Sequence, residues 1–380
     1  MALVQASAGS SATIVIGASG IAALGMLGED KSLATLPITA FVLGNMLSSI
    51  PASFYMARVG RRLGFVTGCL FGVAAGLLAA IATLRGSLPL LALATGLAGT
   101  QQAFIGFLRF AAADTASATL RPKVISWVLA GGVAAAFVGP AVTSGLYRLF
   151  EPVLFAGSYL GLSALSALGA LVAAFIRSPP PASLPPSGGR PLREIMLAPP
   201  MLAAVATGAI TYALMSFVMT AAPLAMVGCG LSVTTAQQGI QWHVVAMFAP
   251  SFFTGSLIAR FGPGRVALAG FALLLASAAV ALGGLTAWHF WASLVLLGLG
   301  WNFGYIAATT LVAAFHTPAE RAKVQAANDF AVFSLTTLGS LSSGVALAGL
   351  GWAGLNLLVL PAVAAAALLL LAFNRLRMAA

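Results

Sequence analysis

The sequence predicts an all-α integral membrane protein of twelve transmembrane helices in two pseudo-symmetric six-helix halves. Composition is the first reason: 60% of the 380 residues are apolar and 7% are charged, against about 25% charged in a soluble domain. Mean hydropathy is +1.03. A water-soluble globule so composed would expose apolar patches that aggregate, so the solvent is lipid. The second reason is the shape of the apolar runs. Val66–Thr83 and Leu355–Phe373 lack the alternation of a membrane β-barrel and approach the ~20 residues that a helix needs to cross the hydrocarbon core. The third is the placement of charge. The net charge of +11 contains no basic run longer than Arg61-Arg62, so it marks loop ends and not a nucleic-acid surface.

Cutting at charge and turn clusters predicts spans near 8–28, 34–57, 63–84, 88–112, 124–147, 153–176, 200–227, 232–259, 266–287, 290–314, 324–349 and 353–373. With the N-terminus inside, fourteen of the 18 Lys and Arg fall on the side of the termini, including Arg58, Arg61, Arg62, Arg321 and Lys323. Lys31, Arg85 and Arg148 fall on the other side, and Arg109 lies within span 4. This asymmetry satisfies the positive-inside rule and places both termini in the cytoplasm. The first apolar stretch lacks a basic leader and is read as span 1, not as a cleaved signal. Trp288, Trp291 and Trp352 then fall near the outer interface, where amphipathic aromatics are favoured. Cys69 and Cys229 stand far apart and give no disulfide framework.

One linker divides the chain. Its prolines at 179, 180, 181, 185, 186 and 191 oppose a continuous helix. The expected domains are 1–176, a proline-rich cytoplasmic linker at 177–199, and 200–380. The halves echo one another. Ala57-Arg58-Val59-Gly60 returns as Ala259-Arg260-Phe261-Gly262, Lys123-Val124 returns as Lys323-Val324, and Gln102 pairs with Asn302. Such duplication is the architecture of alternating-access transporters.

Arg58-Val59-Gly60-Arg61-Arg62 resembles the D-R-x-G-R-R loop between spans 2 and 3 of the major facilitator superfamily. Ala57 stands where that family has Asp, and Ala259 does so in the second copy. The resemblance implies a major facilitator fold, and it leaves Asp329, near the start of span 11, as a candidate partner for Arg58. Arg109 and Asp114 form a charged pair near the inner end of span 4, read as a snorkelling Arg with its counter-charge or as a gate.

Methionine is the compositional anomaly. Six of the 11 Met residues lie within 196–247, and two spaced pairs stand among them: Met215-x-x-x-Met219 in span 7 and His243-x-x-x-Met247 in span 8. Residues four apart share a helix face. Counted from the loop that joins the spans, at about 1.5 Å per residue, Met215 and His243 reach similar depth. Thioether and neutral imidazole are soft ligands that suit Cu(I), and an intramembrane His is a functional candidate. The alternative is that methionine fills helix gaps. Cys229, at the outer end of span 7, is a candidate first ligand on the way in.

The two motifs resemble those of the CcoA-type bacterial copper importers. That resemblance implies metal ligation by Met215, Met219, His243 and Met247, with copper as transported substrate, no other cofactor, and delivery toward haem–copper oxidase assembly. A cytoplasmic thiol or copper chaperone is the implied acceptor, and a monomer is expected. The same branch is similar to riboflavin transporters that lack these motifs. A transporter of a small organic solute such as riboflavin, with Trp127, Trp242 or Trp301 stacking on its rings, is therefore the competing expectation, and a copper sensor or scaffold is another. Enzyme signatures are absent: there is no G-x-x-x-x-G-K-[ST] or H-E-x-x-H, and no Asp or Glu lies mid-span.

Overall fold

In hydrocarbon each backbone N–H and C=O must find its partner within the protein, which leaves helices as the spanning element for this chain. The computed structural model describes residues 1–108, 111–112, 121–176, 189–317 and 319–379. Arg109 and Asp114 lie outside the described residues.

Spans 1 to 6 are Ala2–Leu24, Leu36–Val59, Arg61–Leu84, Leu88–Ile105, Arg121–Leu146 and Ala156–Ala173. Span 7 is Pro199–Gly228, and span 8 consists of Val233–Phe248 and Ser251–Phe261, bent by 42°. Spans 9 and 10 are Pro263–Leu282 and Ala287–Ala314. Spans 11 and 12 run as one helical stretch, Arg321–Ala379, broken at Gly351 (φ 67°, ψ −176°). Among the described residues the helices group into the expected twelve spans, once the bent pair is taken as one span and the long stretch as two. Span 1 begins earlier than its apolar run, at Ala2, because Val4, Ser7 and Ala8 are already buried against neighbouring helices.

The repeat seen in the sequence is also a repeat of backbone. Gly60 (φ 86°, ψ 160°) and Gly262 (φ 82°, ψ 152°) cap spans 2 and 8 and start the next span in the same conformation. Only glycine enters that region without strain. Between the helices, small residues permit close approach. A Cβ on Gly99 would lie 2.0 Å from the Phe41 carbonyl oxygen, and one on Gly44 would lie 2.1 Å from that of Gly96, so spans 2 and 4 touch backbone to backbone.

Trp352, next to the Gly351 break, is buried, with its ring centroid 4.9 Å from that of Phe290. One expectation needs correction. Arg58 and Asp329 form no ion pair; Arg58 is exposed, and Asp329 accepts a hydrogen bond from the Asn328 side chain. The segment Ala57–Arg62 itself contains no carboxylate.

The end of the linker is ordered more than its prolines suggest. A short helix, Leu192–Leu197, docks through buried Ile195. Just before it, Arg190 grips Glu320 at the start of span 11. Its Nε and backbone N–H donate to Oε1 at 2.9 Å, and Nη2 donates to Oε2 at 3.0 Å and to the Phe315 carbonyl at 3.1 Å. The Thr317 N–H adds a bond to Oε2 at 2.9 Å, and Lys323 donates to the Arg190 carbonyl.

The Arg190 side chain first, then the two backbone N–H groups, hold the Glu320 carboxyl well below the usual carboxylate range. The sign follows directly. The clasp holds fully above the unfolded carboxylate value, about 4.3, and is lost as pH falls toward the depressed folded value. Glu320→Gln is expected to lower the thermal midpoint at neutral pH and to flatten its decline on acidification, as read by thermal unfolding in detergent across a pH series.

Candidate functional site

The site is built around the bend in span 8. Pro250 has no N–H, so the helical hydrogen-bond ladder is interrupted there. Asn302 of span 10 repairs the gap. Its Nδ2 donates to the Met247 carbonyl at 2.6 Å and to Ser251 Oγ at 2.7 Å, while Oδ1 accepts from Thr254 Oγ1 at 2.6 Å. One amide thereby holds both arms of the bend.

The residue before Asn302 is Trp301, and the last residue before the bend is Phe248. Their rings meet at 6.2 Å and 68°. Trp301 and Tyr305, four apart on span 10, stack at 5.2 Å and 19°. Tyr212 of span 7 stands edge-on to both, at 5.3 Å and 5.1 Å, and meets Phe333 of span 11 at 5.7 Å. Five rings from four helices thus close on one another about midway along their spans. Phe248 also faces the other half, since a Cβ on Gly132 of span 5 would lie 3.9 Å from its ring.

Spans 7 and 10 contain no Asp, Glu, Lys or Arg. Tyr212, Trp301 and Tyr305 therefore stand on helices without charged residues, while Phe333 follows Asp329 by four residues on span 11. Stacked and edge-to-face contacts of this kind each add about 0.5–1.5 kcal/mol beyond area burial.

Of the tryptophans singled out by the sequence, only Trp301 belongs to this cluster. Trp242 packs edge-on against Phe137 and lines an apolar surface groove with Trp288 and Trp291, and Trp127 is exposed. Gln101 donates to Ser166 Oγ at 3.0 Å, so it ties spans 4 and 6 together. Tyr212, Tyr305, Phe248 and Phe333 were missed by sequence reasoning. The four-residue spacing of Trp301 and Tyr305 was the one available signal.

Met215, Met219, His243 and Met247 are all buried, on spans 7 and 8, and the three thioethers share the apolar core of the C-terminal half. The His243 ring turns toward span 10, where Nδ1 lies 2.7 Å from the Leu294 carbonyl and so donates to it. Its Nε2 is buried with no protein partner. Cys229 stands apart, exposed just beyond the end of span 7.

Twelve spans, a duplicated half and a mid-depth aromatic cluster define a membrane transporter. The sequence profile of the Major Facilitator Superfamily matches residues 1–249, and the chain belongs to that family. It is 44% identical over 367 residues to the riboflavin transporter RfnT of Brucella anthropi, covering 96% of this chain and 92% of that protein. It is 27% identical over 382 residues to YddS of Bacillus subtilis, an uncharacterised transporter of the same type, covering 94% and 87% of the two chains. A bacterial homologue of the human lysosomal transporter Spinster, solved inward-facing and unoccupied, superposes with a TM-score of 0.70 at 18% identity, covering 98% of this chain and 95% of that one. It supports the fold.

The first of these relatives overturns the expectation of copper import: the 44%-identical protein is a riboflavin transporter. Met215, Met219 and Met247 lie within an apolar core, and His243 donates from Nδ1 to a backbone carbonyl.

The brace is open to direct test. Asn302→Leu leaves the Met247 carbonyl and the Ser251 hydroxyl without this partner, at a cost of about 1–3 kcal/mol. A thermal midpoint lowered by several degrees in detergent is the expected result.

Proposed function

We propose that this protein imports riboflavin, or a closely similar flat heteroaromatic solute, across the bacterial inner membrane by alternating access. The observation that carries the reading is the five-ring cluster of Tyr212, Phe248, Trp301, Tyr305 and Phe333, uncharged and at mid-depth. The riboflavin transporter with 44% identity over nearly the whole chain supports it. An isoalloxazine ring is planar, neutral at physiological pH and large enough to replace ring–ring contacts within the cluster with contacts to itself. The halves 1–176 and 200–380 rock about the linker at 177–199, with both termini cytoplasmic. No Asp or Glu stands mid-span in the sequence, and facilitated movement drawn by cytoplasmic conversion of the vitamin fits that chemistry.

The test is uptake of radiolabelled riboflavin by a riboflavin-requiring bacterial strain that lacks its own importer. The parent protein should restore uptake, and excess unlabelled lumiflavin, which keeps the ring system without the ribityl chain, should compete. Trp301→Leu and Tyr212→Leu, at matched membrane levels, should each raise the half-saturating concentration about tenfold, the equivalent of about 1.4 kcal/mol of lost contact. Restored uptake with unchanged half-saturation in both variants would remove the ring cluster as the site. No uptake by the parent would remove riboflavin as the solute.

A further inference from the structure

The described hydrogen bonds between the two halves form a pattern that the ring cluster does not use. On the side of the membrane away from the termini, Gln237 of span 8 donates from Nε2 to the Gly17 carbonyl of span 1 at 2.7 Å. Across the same mouth Thr39 of span 2 lies 3.2 Å, oxygen to oxygen, from Ser340 of span 11. The third inter-half contact, Ser334 to Met46 at 3.5 Å, is at mid-depth. Backbone approach completes the closure. A Cβ on Gly344 would lie 2.5 Å from the Ser32 carbonyl and from Thr35 Oγ1, and Gly20 accommodates Leu224. Among the described residues no ion pair takes part.

We propose that the Gln237 amide is the releasable seal of this far-side gate, the residue whose bond to Gly17 sets how often the transporter opens away from its termini. Two features argue for a seal and not a static strut. First, the fit is made for it. A Cβ on Gly17 would lie 2.2 Å from Gln237 Oε1, so only glycine leaves the amide its seat. Second, the closed gate is under polar tension. Gln237 is 1% exposed, and its Oε1 has no partner; Thr35 Oγ1, on the opposite lip, is likewise buried and unpartnered. A buried acceptor without a donor costs free energy that water would return. Opening the mouth hydrates both atoms while breaking the Gln237–Gly17 bond, so closing and opening are set against each other within one side chain. Bistability of this kind is what a carrier needs in order to reset.

The experiment reads the gate directly and needs no solute, so it stands or falls apart from the riboflavin reading. The full chain, in lipid nanodiscs, carries one spin label on native Cys229 and another at Glu29→Cys, both exposed on the far side and on opposite halves; Cys69 is buried. Pulsed dipolar spectroscopy gives the distance distribution across the mouth. The parent should show mainly the short, closed distance. Gln237→Ala should raise the long-distance population at least threefold, and Gly17→Ala should do the same by crowding the amide. In the Gln237→Ala background, Gly17→Ala should add nothing, because the group it displaces is gone. That non-additivity marks a single shared contact. A Gln237→Ala distribution that superimposes on the parent's overturns the proposal, as does full additivity of the two substitutions. Should Gln237→Ala not be recovered in folded form, the single Gly17→Ala variant decides by the same threefold criterion.

Discussion

A helix that bends inside a membrane frees backbone groups that water cannot reach, and the functional centre of this protein depends on how that need is met. Pro250 interrupts span 8, and Asn302 satisfies the groups on both arms. Because Asn302 and Trp301 are adjacent on span 10, the amide that holds the bend also fixes the height of the indole. Phe248, at the end of the upper arm, is carried against that indole and toward Gly132 of the other half. A straight span 8 would leave the ring cluster without one of its members and without its contact across the halves.

The same constraint shapes the rest of the membrane interior. Buried polar side chains mostly bond to carbonyls or to each other, as Gln101 does with Ser166 and Ser277 with Ser293. Among the described residues, spans 7 and 10 contain no charged side chain at all. Where Arg190 and Glu320 pair, they do so at the linker, outside the spans, and tie it to the start of span 11. The carrier thus separates two kinds of holding. Charge-assisted bonds fasten a loop that need not move relative to its helix, while neutral, incompletely satisfied bonds close the mouth between halves.

The methionine motifs show where sequence spacing runs out. Two pairs at four-residue spacing on consecutive helices share a depth by arithmetic, but arithmetic does not give the direction in which a side chain points. His243 points at a carbonyl of span 10, and Gly298 lets the two helix backbones meet there. The thioethers around it fill an apolar core. Soft, flexible methionine does that as readily as it ligates a metal, and the spacing is the same in both cases.

What the sequence determined by itself was the solvent and the fold class. Each crossing needs about 20 apolar residues, and basic residues gather in the loops between crossings, so twelve spans could be counted from local composition. The repeat of Arg58–Gly60 in Arg260–Gly262 was visible because a positive φ leaves glycine as its signature. Tertiary structure alone decided which rings meet, which polar atoms stay unpaired and which glycines receive a neighbour. Tyr212, Phe248, Trp301 and Phe333 come from four helices, and Gln237 and Gly17 are 220 residues apart. Such contacts depend on the rotation of each helix about its own axis. In lipid both faces of a span are apolar, so the sequence pattern that reveals that rotation in water is largely missing.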